Sequence, residues 1–457
     1  MRCFIRRVRW VLCGVAAAFV LPYYGLQASE GQIAHAQDKT VVIVAGGDLG
    51  FGGSDQPVSA MGGYRHRRLI PWKDIGKGIE PLLDGDINFA NLETVVTGNA
   101  RLVPADKRFR FQMHAAGARR IVEMGFNVLS TANNHARDYG QAGMRETLQS
   151  LNGLRAAGLL AFPGIARGRM AALQPVTFKV HGAYNIAISA VGIGGVDPLQ
   201  ESARYGQISY NRPRDFTDAV QALAQAKADY RILSVHYGAE LQIRPSANDI
   251  QKLRDRAVRE AGVDLVLGHH AHVAAGVQAV EGRLIFYGLG NLLHFGMQNM
   301  AKFDVCRDFG LMARIYLSQN QDGGLKARAV KVIPLADMHE NAHPMAPLEA
   351  HKRIAVINGL ADQLSDAESG AKGLKFVPQA DGTGLYCFAA ADNAGGKIAG
   401  LCKDWANAGH DNRPVFPVHN CRSVRVSMSA TKKRQVNQVN KVKSNFVKDY
   451  FARTYNH

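Results

Sequence analysis

Two periods of apolar residues alternate along the chain. Residues 40–45 form an unbroken, β-branched apolar run ending in Gly46, Gly47 and Asp48, which predicts a buried strand. Residues 87–92 form a second apolar segment, ending at Glu93. Residues 115–124 carry helical spacing with Gly125 as the stop signal. Residues 126–131 predict a strand followed by Asn133, Asn134 and His135, and residues 141–157 predict a helix with Gly158 beyond its end. Further strands are predicted over 185–191, 230–235, 263–267 and 284–287, with helices over 216–228 and 248–261 between them. This alternation indicates an α/β domain with a largely parallel sheet in a layered sandwich. After about Pro334 the pattern weakens into short apolar runs separated by Gly-rich and polar stretches such as 380–384. An accessory region is expected from about Met338 onward.

The N-terminus carries a different signal. Arg2, Arg6, Arg7 and Arg9 precede an apolar stretch over 10–26 that is interrupted at Pro22, and Ala34-His35-Ala36 follows. Basic, apolar and small residues in that order describe a cleaved export signal over 1–36, with an uncleaved membrane anchor as the alternative. Cys13 lies in the apolar run without a lipobox, so no lipoprotein is expected. Export removes Cys3 and Cys13 and leaves Cys306, Cys387, Cys402 and Cys421. In an oxidising compartment an even number allows one or two disulfides, in any of three full pairings; buried free thiols are the alternative.

Composition narrows the class. Hydrophobic residues at 47% and charged residues at 20% exclude wholesale disorder, collagen and coiled coil. A single long apolar run excludes a polytopic membrane protein. Lys and Arg number 55 against 38 Asp and Glu in 457 residues, a formal charge of +17. Much of the excess lies in residues 422–457, where nine basic residues face Asp449 alone. Such a tail suits anionic partners: a membrane surface, an acidic polymer or nucleic acid, the last being the least compatible with export. A solvated tail without a partner is the plainer reading.

The candidate chemistry gathers at predicted strand ends: Asp48, Glu93, Asn134-His135, His236, and the group His269, His270 and His272. In open α/β sheets ligands bind outside the carboxyl ends of strands, so these could converge on one site. Carboxylates and imidazoles together suit one or two divalent ions such as Zn, Mn or Fe. Two ions sharing a carboxylate would clamp the attacking and leaving oxygens of a phosphoryl transfer.

Gly47-Asp48, Asn91-Leu92-Glu93, the run from Ala132 to Gly140 (ANNHARDYG), His236-Tyr237-Gly238-Ala239-Glu240, Gly268-His269-His270-Ala271-His272-Val273 and Gly288-Leu289-Gly290-Asn291-Leu292 resemble, in order, the motifs of the poly-γ-glutamate capsule-synthesis (CapA) family. That family is similar to the calcineurin-like metallophosphoesterases. The resemblance covers about residues 40–295 and implies a metallophosphoesterase-like layered β-sandwich flanked by helices, assigned to 37–337, with the less regular Cys-containing region over 338–421 and the basic tail over 422–457 beyond it. It implies Asp48 as ligand of a first metal, Glu93 as the bridging carboxylate, Asn134 and His236 as ligands of a second, and His270 and His272 as one ligand to each. His135 would be the acid that protonates the leaving group or stabilises the phosphoryl oxygens. Asp138 and Glu240 would orient imidazoles or cap local turns, and Asn133 belongs to the same motif. His269 is placed behind the ligands or at the substrate, because adjacent side chains on an extended segment face opposite sides.

One departure stands out. The wider superfamily has Asp-x-His at its first motif, whereas Asp48-Leu49-Gly50 lacks the His, so the first metal site is short of a ligand. Thr94 after Glu93 is a lesser departure. Three functions compete: a CapA-type protein in production or export of an anionic envelope polymer, a divalent-metal phosphoesterase acting on an envelope phosphoester, and a non-catalytic anion-binding scaffold. The Gly-rich run 46–53 lacks the Lys-Ser/Thr of a P-loop, and Ser54 and Ser130 lack a nucleophile elbow. Arg65, His66, Arg67 and Arg68 could attract an acidic substrate or form a solvated face. Arg108 and Arg110, alternating with Phe109 and Phe111, predict an edge strand with one basic face.

Overall fold

The computed structural model describes residues 40–51, 69–194, 204–295, 299–389, 391, 396–403, 405 and 413–421. The export signal, the run 65–68, Ser54 and the basic tail lie outside the described residues.

Among the described residues, strands β1 (Val41–Phe51), β2 (Ile87–Leu92) and β3 (Val128–Ser130) open a first sheet. Strands β4 (Tyr184–Gly192), β5 (Tyr230–His236), β6 (Leu265–His269), β7 (Val277–Val280) and β8 (Arg283–Phe286) make most of a second. The chain then returns to the first sheet through β9 (Asn291–Phe295), β10 (Gly310–Gln319) and β11 (Leu325–Ala336). In the first sheet the order β11-β10-β1-β2-β3 is antiparallel up to β1 and parallel beyond it, and β9 joins the far end of β1 in parallel. In the second sheet β4, β5, β6 and β8 run parallel, and β7 closes antiparallel on β8. The expected layered α/β sandwich is present, but as two mixed sheets.

The two sheets face each other through one core. On β5 and β6 the period of two is strict: Ile232, Leu265 and Leu267 pack with Phe89 and Leu129 of the first sheet. Leu233, Val235 and Val266 turn outward against Phe216, Val220, Leu223, Leu253 and Ala257. Those last five lie on α3 (Pro213–Gln225) and on a segment over 247–260, the latter opened by the Ser246–Asp249 capping box. On the other side of the molecule α1 (Ala115–Glu123) and α2 (Gly140–Asn152) flank the first sheet. The helix predicted over 141–157 stops at Asn152. Gly153 follows, and a short 3-10 turn over Arg155–Ala157 ends at Gly158 with φ of 107°.

The region after 338 is more ordered than its sequence pattern implied. Helix α4 (Pro347–Asp362) was not signalled because polarity and burial disagree along it: Arg353 and Asn358 are buried whereas Leu348 is exposed. No polar face alternates with an apolar one, so the helical period is invisible. Lys372–Gly373 pairs with β7 of the second sheet, and Gly384–Cys387 pairs with β11 of the first. Disulfides join Cys306 to Cys421 and Cys387 to Cys402, so the four cysteines of the described residues are all paired. Among the described residues no helix is long and apolar enough to cross a membrane.

Candidate metal centre

The carboxyl ends of β1, β2, β5 and β6 meet at one end of the sandwich, and local irregularities aim their side chains. Between Ala45 and Asp48 strand β1 advances one residue more than β2, a bulge that falls on Gly46-Gly47. A Cβ on Gly47 would stand 1.9 Å from the Gly290 carbonyl oxygen, so only glycine fits. That approach lets the Asp48 N–H donate to Gly290 O at 2.8 Å and fixes the aspartate. Past β6 the backbone leaves the extended region. His270 at φ 90° and His272 at φ 58° are left-handed, which costs a non-glycine residue energy and favours a functional constraint. His269, expected behind the ligands or at the substrate, ends β6 and faces Asp48. His269 Nδ1 lies 3.4 Å from Asp48 Oδ1, and the His270 N–H donates to Asp48 Oδ2 at 3.1 Å.

Glu93, fully buried, occupies the middle. Its Oε1 is 3.4 Å from His236 Nε2 and 3.9 Å from His135 Nε2, and its Oε2 is 3.3 Å from His294 Nε2 and 3.9 Å from His272 Nδ1. Asp48 Oδ2 is 3.4 Å from His272 Nδ1, and the Asn134 side-chain oxygen is 2.7 Å from His236 Nε2. Two groups have donor atoms all within 4.8 Å of one another: Glu93 with His236 and His270, and Glu93 with His272 and His294. Glu93 is common to both. The expected ligands Asp48, Glu93, Asn134, His236, His270 and His272 are thus gathered in one chamber.

Beside it stands a second constellation. His135 Nδ1 is 2.6 Å from Asp138 Oδ2, and its ring stacks on Phe111 with centroids 3.6 Å apart. Asp138 also accepts from Lys107 Nζ and from the Phe111 N–H, both at 2.5 Å. Asn133 holds the turn: its Oδ1 accepts from the His135 N–H at 3.1 Å and its Nδ2 donates to Leu92 O at 2.9 Å. Glu240 is exposed and acts on His272 only as a distant negative charge. Arg108 and Arg110 lie in a loop, not on an edge strand; the nearest pairing is Gln112–Met113 with Val95–Val96. Their alternation with phenylalanine misled, because Phe111 is pulled inward onto His135 while Phe109 stays out under the Arg108 guanidinium.

Sequence reasoning missed three members. Asn91, on β2, places its amide nitrogen 2.8 Å from Asp48 Oδ1 and 3.1 Å from His236 Nδ1. The Asn291 side-chain oxygen is 2.9 Å from His272 Nδ1. His294 touches Glu93. Asn91 and Asn291 were in view as parts of matched motifs, whereas His294 sits inside an apolar run.

Charge balance decides which group this chamber fits. Burial and the Glu93 charge push the Asp48 carboxyl up, but His269, His272 and His236 prevail and hold it below its ordinary value. Burial likewise opposes ionisation of Glu93, and His272 and His236 reverse it and hold Glu93 well below the usual range. Burial pulls His270 down to about 3 and also lowers His269 and His294. His272 alone goes up, to about 9: burial opposes its charge, but Glu93 and Asp48 more than compensate. Both carboxylates are thus held ionised and His269, His270 and His294 neutral, the states a metal requires of its ligands, while His272 would give up its proton to one. Glu93 Oε1, His270 Nδ1 and His294 Nδ1 are buried without a hydrogen bond. The donor set therefore fits a divalent transition metal.

The bacterial capsule synthesis protein family PGA_cap matches residues 42–295, more than half of the chain. The PGA biosynthesis protein CapA of Bacillus subtilis is 32% identical over 219 residues, 47% of this chain and 55% of that protein. A probable polyglutamine synthesis accessory protein of Mycobacterium tuberculosis is 28% identical over 217 residues, 46% of this chain and 55% of that one. The chain spans about half the length of the curated relatives it matches. A crystal structure of a putative 5'-nucleotidase from Staphylococcus aureus overlaps 69% of this chain and 57% of that chain, at 12% identity and a TM-score of 0.36. An overlap at that score is partial and adds nothing to the geometry of the site. On the extent of the family match, the chain belongs to the bacterial capsule synthesis protein family PGA_cap.

Proposed function

We propose that this protein is an exported CapA-type protein whose metal centre, of metallophosphoesterase kind, acts in production or export of an anionic envelope polymer. One observation carries the reading: Glu93 is shared by two buried imidazole groups at the strand ends, with a hydrogen-bonded His135–Asp138 pair beside them. Asp48, Glu93, His272 on one side and Glu93, Asn134, His236, His270 on the other would hold one or two divalent ions, Mn, Fe or Zn. When bound, such ions polarise a phosphoryl or carbonyl oxygen and lower the pKa of water. The chain's own part is orientation and proton delivery. Asp138 fixes the His135 ring through Nδ1, so Nε2 faces the chamber and is placed to hand a proton to a leaving group.

Export is supported by the N-terminal order of basic, apolar and small residues over 1–36 and by the two disulfides. The 338–421 region is read as an accessory element, and the basic tail as a contact for polymer carboxylates or lipid headgroups. The test is metal analysis of the purified mature protein beside His236→Ala, with turnover of bis(4-nitrophenyl) phosphate and polymer yield in a deletion strain. Stoichiometric metal lost in the variant, with polymer lost on deletion, supports the proposal. Turnover of the phosphodiester with polymer unchanged favours an envelope phosphoesterase, and a metal-free inert protein favours an anion-binding scaffold.

A further inference from the structure

We propose that His294 is a metal ligand, supplying from β9 the imidazole that β1 lacks at Gly50; this rests on the metal-centre reading above. Gly50 and His294 are registered partners in the parallel pair of β1 with β9. A Cβ built on Gly50 meets the Glu93 carbonyl oxygen at 2.7 Å and His294 Nε2 at 3.4 Å. Strand β1 therefore has no room for a side chain there, and the space it would fill is taken by the neighbouring strand's imidazole.

Backbone phase explains how a residue inside an apolar run reaches a polar chamber. From Asp48 to Leu49 strand β1 advances one residue while β9 advances two, from Asn291 to Leu293. The extra residue reverses the alternation, so Asn291 and His294, three apart, both face the site. The His294 N–H is tied to the Met338 carbonyl, which holds the end of β9 in that phase.

His294 is fully buried. Its Nε2 lies 3.3 Å from Glu93 Oε2, and its ring stands 5.5 Å from that of His272 at an interplanar angle of 87°. Phe111, stacked on His135, meets the His294 ring edge-on at 5.1 Å. A core histidine with no task would satisfy both ring nitrogens, whereas His294 Nδ1 has no hydrogen bond and Nε2 shares its carboxylate with the other imidazoles. With His294 the first half of the centre has Asp48, Glu93, His272 and His294, the four ligands of a complete N/O site.

The experiment loads the purified full chain with Mn²⁺ or Co²⁺ and measures ion stoichiometry, affinity and histidine N–H resonances shifted by bound cobalt. His294→Gln, which keeps bulk and hydrogen bonding, is compared with wild type and His236→Ala, and circular dichroism checks folding. Two ions are expected in wild type. His294→Gln should lose one shifted imidazole resonance, and one ion should bind more than roughly 100-fold weaker, a larger loss than a merely orienting partner causes. The same two ions at unchanged affinity in His294→Gln would overturn the role of His294 and leave the centre standing. No ion in wild type would overturn both. If the glutamine variant misfolds, the wild-type count of cobalt-shifted imidazoles decides: four support His294 as a ligand and three remove it.

Discussion

His135 is constrained from three directions, and each constraint has a distinct chemical consequence. The Phe111 face sets the ring plane, Asp138 accepts at Nδ1, and Asn133 pins the backbone N–H. Asp138 is itself held by Lys107 and by the Phe111 N–H, so it cannot swing away to solvent. Lys107 also donates to the Asn134 carbonyl at 2.9 Å, which links the proposed proton donor to the turn that carries a predicted ligand. A general acid so placed contributes about 10²–10⁴-fold. His135→Ala is expected to lower kcat on the chromogenic phosphodiester by that factor while metal content stays at the wild-type level. Asp138→Asn should cost less, roughly 10–100-fold, since the ring remains but its orienting charge is gone. Kinetics paired with elemental analysis checks both; metal lost from His135→Ala would make His135 a ligand instead of an acid.

Strand ends explain why much of the centre could be read in advance. Asp48, Glu93, His236 and His269 each follow a run of apolar residues, and a polar residue closing a buried strand is visible without coordinates. What escaped reading was phase. Position 294 looks like one more inward residue of β9, and only the extra residue opposite Asp48-Leu49 turns it to the chamber. The left-handed turn at His270 likewise leaves no trace in residue type. Helix α4 was hidden because buried Arg353 and Asn358 and exposed Leu348 blur its polar-apolar period. The bulge at Gly46-Gly47 gives a direct test of phase. In Gly47→Ala the new Cβ would overlap the Gly290 carbonyl, and either β1 or the 288–290 turn must move. Denaturant unfolding is expected to show a loss of about 2–4 kcal/mol, with weaker metal binding because Asp48 shifts. Unchanged stability and affinity would mean that the bulge does not position the aspartate.

Across the whole molecule, the disulfides and a metal held in the candidate centre would do similar work. Cys306–Cys421 closes a loop of 115 residues and Cys387–Cys402 one of 15, so chain entropy assigns about 4–5 kcal/mol to the first and about 3 kcal/mol to the second. Paired Cys→Ser replacement of Cys306 and Cys421 should therefore lower the thermal midpoint more than that of Cys387 and Cys402, as calorimetry under oxidising conditions would read. The metal centre is placed to act as a further link. Asp48, Glu93 and His294 come from the first sheet or its strand ends, and His236, His270 and His272 from the second. An ion held by both sets joins the sheets at the end where two carboxylates would otherwise repel across a buried space. Because the unfolded chain has no such site, each ion adds about 2.7 kcal/mol when its concentration is 100 times its dissociation constant. Chelation should thus lower the unfolding midpoint, and returning Mn²⁺ should raise it in proportion to the logarithm of its concentration. Glu93→Gln, which removes the carboxylate common to both groups, should abolish that dependence. A midpoint indifferent to chelator in the wild-type chain would show that the sheets are held by their apolar core alone.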